Sequence, residues 1–96
     1  MIYQLIFTLK SDQDLTKIKV WYDGISTNLT QELFLEISKE LKIIKKEPLL
    51  YQTRYKSIRI AFIKRFEYGI HFIVKNNTII ILRILHNKQY FNEIAT

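Results

Sequence analysis

The 96-residue chain has no cysteine, one proline and two glycines. Lack of cysteine excludes disulfide staples, thiolate metal sites and a cysteine nucleophile. So little glycine and proline leaves small room for long irregular loops. With Gly24 and Gly69 as the only glycines, a glycine-rich phosphate loop is excluded as well. Long apolar runs are also missing. The stretch Ile79 to Leu85 is broken by Arg83 and is far too short to cross a bilayer. Ile2 to Leu9 contains Gln4 and lacks the basic leader and small-residue cleavage site of a signal peptide. These absences predict a soluble, cytoplasmic protein with no membrane partner.

What is present is a globular composition, 48% hydrophobic and 25% charged. It fits neither a disordered nor a fibrous chain. The length accommodates one domain, residues 1–96. Fifteen basic residues against nine acidic give a net charge of +6. Residues 1–47 carry seven of each sign and cancel, whereas residues 48–96 carry eight basic and two acidic, with all four arginines among them. An excess confined to one half points to an anionic partner, nucleic acid or an acidic protein. The competing reading is a solubility charge with no partner.

Residues 2–9 are rich in strand formers and predict an N-terminal β-strand. Ser11 followed by Asp14 has capping-box spacing and predicts a helix start. Leu15, Ile18, Tyr22 and Ile25 then form one apolar face, with Trp21 beside it, and the helix ends near Gly24. Trp21 and Tyr22 read as core and helix-pairing residues. Asn28 with Gln31 predicts the start of a second helix, whose face is Leu29, Leu33, Ile37, Leu41 and Ile44, with Phe34 alongside. Its glutamates precede its lysines, which suits the helix dipole, and Pro48 stops it. After this helical hairpin the period changes from helical to two. Ile58, Ile60 and Phe62 alternate with Arg59, Ala61 and Ile63. Tyr68–Lys75 and Thr78–His86 flank Asn76-Asn77, a type I′ hairpin turn by composition. In that register Phe72 faces Ile81 and Ile70 faces Arg83. Both faces of the hairpin are largely apolar, so the helices cover one. A partner, or the tail at Tyr90–Ile94, must cover the other. The predicted class is α+β: a strand, a helical hairpin, then a three-stranded antiparallel segment.

Arg83 interrupts an apolar strand, and an unpaired buried guanidinium would be costly. It is expected to pair with a carboxylate such as Glu67 and to line a polar site. Arg59 and Arg65, with Lys64 between them, form a phosphate or carboxylate clamp if their strand runs unbroken. The alternative is a solvated strand edge or loop. His71, in mid-strand, reads as a core or rim residue. His86 at a strand end is either a general base or phosphate ligand, or a hydrogen-bonded structural residue. Neither histidine has a carboxylate or cysteine at ligand spacing, so no metal site is expected.

Asp14-Leu15 and Trp21-Tyr22 in the first helix are followed by Pro48 and Tyr51 after the second. Lys64-Arg65-Phe66 then precedes Tyr68-Gly69-Ile70, and the last strand ends Leu82-Arg83-Ile84-Leu85-His86. In this order the motifs resemble the RelE/ParE superfamily of type II toxins over residues 2–90. The resemblance implies a β-α-α-β-β-β toxin without cofactor, held inactive by an acidic, partly disordered antitoxin. Its target would be DNA gyrase or the ribosome with its mRNA. For a ribosome-dependent mRNA endonuclease it implies His86, Lys88 and Tyr90 as catalytic candidates, the last two alternatively as tail packing. Arg59, Lys64, Arg65 and Arg83 would then meet target or antitoxin. Nuclease members usually carry an arginine where this chain has Gly69, and a basic pair where it has Lys88-Gln89. These departures favour the gyrase-directed or otherwise non-nucleolytic branch, beside mRNA cleavage and an inactive basic binding module as alternatives.

Overall fold

The computed structural model describes residues 2–94, with side chains through Tyr90. Strand β1 (Gln4–Phe7) leads into helix α1 (Leu9–Asp23) and helix α2 (Thr27–Lys46). A single 3-10 turn at Pro48–Leu50 precedes the short strand β2 (Thr53–Tyr55). Then come β3 (Ile58–Ile63), β4 (Tyr68–Lys75), β5 (Thr78–His86) and a C-terminal helix α3 (Asn87–Ile94). The strands form one mixed sheet in the order β1-β5-β4-β3-β2. The α+β class and the strand–hairpin–strands order hold. The sequence reading lacked β2 and α3, and did not place β1 in the sheet parallel to β5.

Both helices begin earlier than their expected caps. Thr8 caps α1, accepting from the Ser11 backbone N–H at 3.1 Å. Its hydroxyl also donates to the Leu82 carbonyl at 3.0 Å, tying the cap to the sheet. Ser11 is therefore inside the helix, where it is buried and donates back to the Thr8 carbonyl. Ser26, not Asn28, caps α2. The end of α2 follows expectation: Pro48 has no N–H to continue the ladder and forces the preceding residue out of helical conformation.

Ile18 of α1 and Leu33, Ile37 and Ile44 of α2 pack on Ala61, Ile63, Ile70, Phe72, Ile79, Ile81 and Ile84 from the sheet. Complete burial of a side chain of this size contributes roughly 1.5–3 kcal/mol. Trp21 is a correction, because it is 66% exposed. The buried stripe of α1 runs through Leu15, Ile18 and Tyr22, and Trp21 lies beside it facing outwards. Tyr22 does pack, edge-on to Phe66 and Tyr68.

The β4–β5 hairpin carries the most consequential correction. Lys75↔Thr78 through Phe72↔Ile81 pair as expected, but His71 then faces Arg83 and Ile70 faces Ile84. Leu82 is an extra residue, a β-bulge. The slip returns Ile84 to the helix side and sends Arg83 to the opposite face. The turn also departs from type I′, since only Asn76 of its two residues has a positive φ.

Candidate functional site

On the face away from α1 and α2, four elements bring polar side chains together. β2 supplies Tyr55, β4 supplies His71, β5 supplies Arg83 and α3 supplies Tyr90. The Tyr55 hydroxyl and His71 Nδ1 are hydrogen-bonded across 2.9 Å, with donor and acceptor set by the imidazole tautomer. The Tyr90 ring lies 5.2 Å from the His71 ring and 5.7 Å from that of Tyr55. His71 is 1% exposed. Burial, reinforced by the Arg83 guanidinium and opposed by the Asp14 carboxylate, lowers its pKa to about 4. Desolvation likewise raises the Tyr55 phenol above its ordinary value. Of the tail expected over this face, Tyr90 does pack there, and the side chains of 91–94 lie outside the described residues.

Arg83 pairs with Asp14 rather than Glu67. Its Nε and Nη2 donate to the two carboxylate oxygens at 2.8 and 3.1 Å. Asp14 also accepts the backbone N–H of Ile84 at 3.0 Å. The cause is topological. β1 covers the edge of β5 only as far as Ile81, and α1 then runs past the uncovered remainder. Thr8 and Asp14 supply the polar partners that strand pairing no longer provides there.

The other sequence candidates scatter. β3 ends at Ile63, so Arg59 and Arg65 do not form one clamp. Arg59 donates to the Tyr51 carbonyl. Arg65 lies in the turn after β3, where it donates to Glu32 at 2.8 Å and covers the Phe66 ring. Lys64 is exposed beside it, next to Glu36 and Glu40 of α2. Arg54, which the sequence reading passed over, lies on the Phe62 ring at 5.3 Å. Each of the four arginines thus engages a group of the chain itself.

His86 makes local contacts at the start of α3. Its Nδ1 accepts the Lys88 backbone N–H at 3.1 Å, which caps α3, and its ring meets Tyr68 edge-on. Lys88 is exposed while Tyr90 faces the sheet, so the two do not converge. Gly69 is buried, and a Cβ there would stand 2.9 Å from Ile60 Cγ2 and 3.4 Å from His71 Nε2. Packing leaves no room for a side chain at that position. Among the described residues, no three His, Asp or Glu side chains are grouped to hold a metal ion. None of the described helices is long and apolar enough to cross a membrane.

A neutral, buried imidazole is a poor proton acceptor at pH 7, and Arg83 spends two of its five N–H donors on the Asp14 carboxylate.

Residues 5–91 match the protein family described as the ParE toxin of the type II toxin–antitoxin system parDE. Among solved structures, a chain from the chromosomal ParDE TA system of P. aeruginosa is similar with a TM-score of 0.78 and 22% identity, covering 88% of this chain and 96% of that one. The solution structure of a conserved hypothetical protein from Helicobacter pylori is similar with a TM-score of 0.51 and 23% identity, covering 88% of this chain and 92% of that one. At these identities the two structures speak for the fold. No curated protein matches significantly.

Proposed function

This chain belongs to the ParE family of toxins from type II toxin–antitoxin systems, and on that premise we propose that it arrests growth by binding its target, DNA gyrase, without cleaving RNA. The observation that carries this reading is the closed state of the sheet cluster. RNA cleavage by an internal 2′-hydroxyl needs a proton acceptor and free positive charge beside the phosphate. Here His71 is neutral and buried, Arg83 is committed to Asp14, and position 69 has no space for an arginine. A cytoplasmic antitoxin, acidic and partly disordered, holds the protein inactive.

The test is induction of the chain in cells, followed by supercoiling assays and mapping of mRNA ends. Loss of negative supercoiling with a DNA-damage response supports the proposal. Codon-position-specific mRNA cuts would overturn it in favour of a ribosome-dependent endonuclease. Unimpaired growth in every host would leave a plain binding module.

A further inference from the structure

Counting charge by halves hides a concentration within the balanced half. Lys42, Lys45 and Lys46 all lie in the last turns of α2, and each is exposed. Among the described residues they make no ion pair; those present join Lys19 to Asp23, Arg65 to Glu32 and Arg83 to Asp14. The lysines border two adjoining shallow grooves that share Tyr3 and Lys46. The larger, of about 360 Å³, is walled by Leu49 and Leu50, with Pro48 at its base. Ile2, Leu49 and Leu50 are 88, 59 and 72% exposed. Among the described residues, Glu47 is the one acidic group along these walls.

We infer that the surface formed by Ile2, Tyr3, Leu49 and Leu50 with Lys42, Lys45 and Lys46 docks an acidic, amphipathic segment of a partner protein. Given the toxin reading above, on which this rests, that segment belongs to the antitoxin. An apolar floor with a cationic border fits apolar side chains flanked by carboxylates. A nucleic-acid strand fits less well, because the floor is aliphatic and, among the described residues, Tyr3 alone offers a ring for base stacking. A second copy of this chain would set two lysine clusters against each other, which charge repulsion opposes. The site is separate from the sheet cluster, so a bound antitoxin segment here leaves His71 and Tyr90 untouched.

The experiment uses the full chain and, as probe, the product of the small reading frame adjacent to its gene, with affinity measured by calorimetry at two salt concentrations. Two variants alter the patch: Lys42→Glu/Lys45→Glu/Lys46→Glu and Leu49→Ser/Leu50→Ser. Lys10→Glu, exposed on α1 and lining neither groove, is the control, and thermal melts establish that all three variants fold. The expected result is at least a tenfold loss of affinity for either patch variant, less than twofold for the control, and weaker wild-type binding at high salt. Unchanged affinity in folded patch variants overturns the docking site while leaving the toxin reading intact. Failure of the wild-type chain to bind the probe, or the lack of any adjacent frame, overturns the toxin–antitoxin reading and this site with it. Self-association in sedimentation runs that Leu49→Ser/Leu50→Ser abolishes would assign the surface to a second copy instead. Binding of a short single-stranded RNA that the lysine variant abolishes, with probe affinity unchanged, would assign it to nucleic acid.

Discussion

Arg83 and Asp14, 69 positions apart in the chain, are joined through two hydrogen bonds, and the same carboxylate also holds the Ile84 backbone N–H. One acidic side chain thereby fixes α1 against β5, where strand pairing with β1 has stopped. Asp14→Ala leaves both a guanidinium and a backbone donor without this partner. We expect a loss of about 2 kcal/mol in urea unfolding, as for hydrogen bonds to a charged group in a partly buried pair whose arginine is 27% exposed. Arg83→Ala should cost a similar amount, with strong non-additivity in the double variant. Toxicity should fall with Arg83→Ala and not with the exposed Lys10→Ala. Additive, sub-kilocalorie effects would contradict this arrangement.

His71 makes stability depend on pH. Its folded-state pKa is lowered from 6.5 to about 4, so the unfolded chain takes up the proton first as pH falls. The contribution is complete above pH 6.5 and is lost progressively as pH falls towards 4. Between pH 7.5 and 5.5 the loss attributable to this residue is about 1 kcal/mol. In His71→Gln the stability difference between those two pH values should shrink by that amount. An unchanged difference would show that His71 titrates normally.

Gly69→Arg should not restore RNA cleavage. The new side chain meets Ile60 and His71, and overpacking of a buried site costs typically 1–3 kcal/mol. The expected readout is a lowered melting temperature with no new mRNA ends. Cuts produced by a folded Gly69→Arg protein would reopen the nuclease reading.

Helix starts offer a direct comparison of sequence expectation with structure. Thr8→Ala loses both a cap and the link to Leu82, and should cost about 1–2 kcal/mol. Ser26→Ala should cost about 1 kcal/mol. Asn28→Ala, at an exposed helical position, should change stability by less than about 0.5 kcal/mol. The reverse order in chemical unfolding would restore the Asn28 cap.

The sequence made the α2 face, the halt at Pro48 and the strands from Ile58 onwards legible, because each depends on local periodicity or on a single residue's backbone restrictions. The bulge at Leu82 was not legible. An extra residue in an apolar strand changes no local pattern, yet it moved Arg83 from one sheet face to the other. Asp14 read as half of a capping box because short-range spacing cannot reveal a partner 69 residues away. Trp21 read as core because it borders the apolar stripe, and only tertiary packing decides how far that stripe extends. Tyr55 sits on a strand of three residues, too short to show any period. Of the site candidates, His71 was read as core or rim and lies buried, while the arginine clamp failed once β3 stopped at Ile63.

The parallel pairing of β1 with β5 has a bearing on synthesis. Gln4 waits for Thr78, and Phe7 for Ile81, before the first strand has any sheet to join. Ile79, Ile81 and Ile84 of β5 lie in the core beside Ile18 of α1, so a nascent chain lacking β5 lacks both the partner of β1 and this part of the core. A growing chain therefore completes its sheet only once β5 has been made.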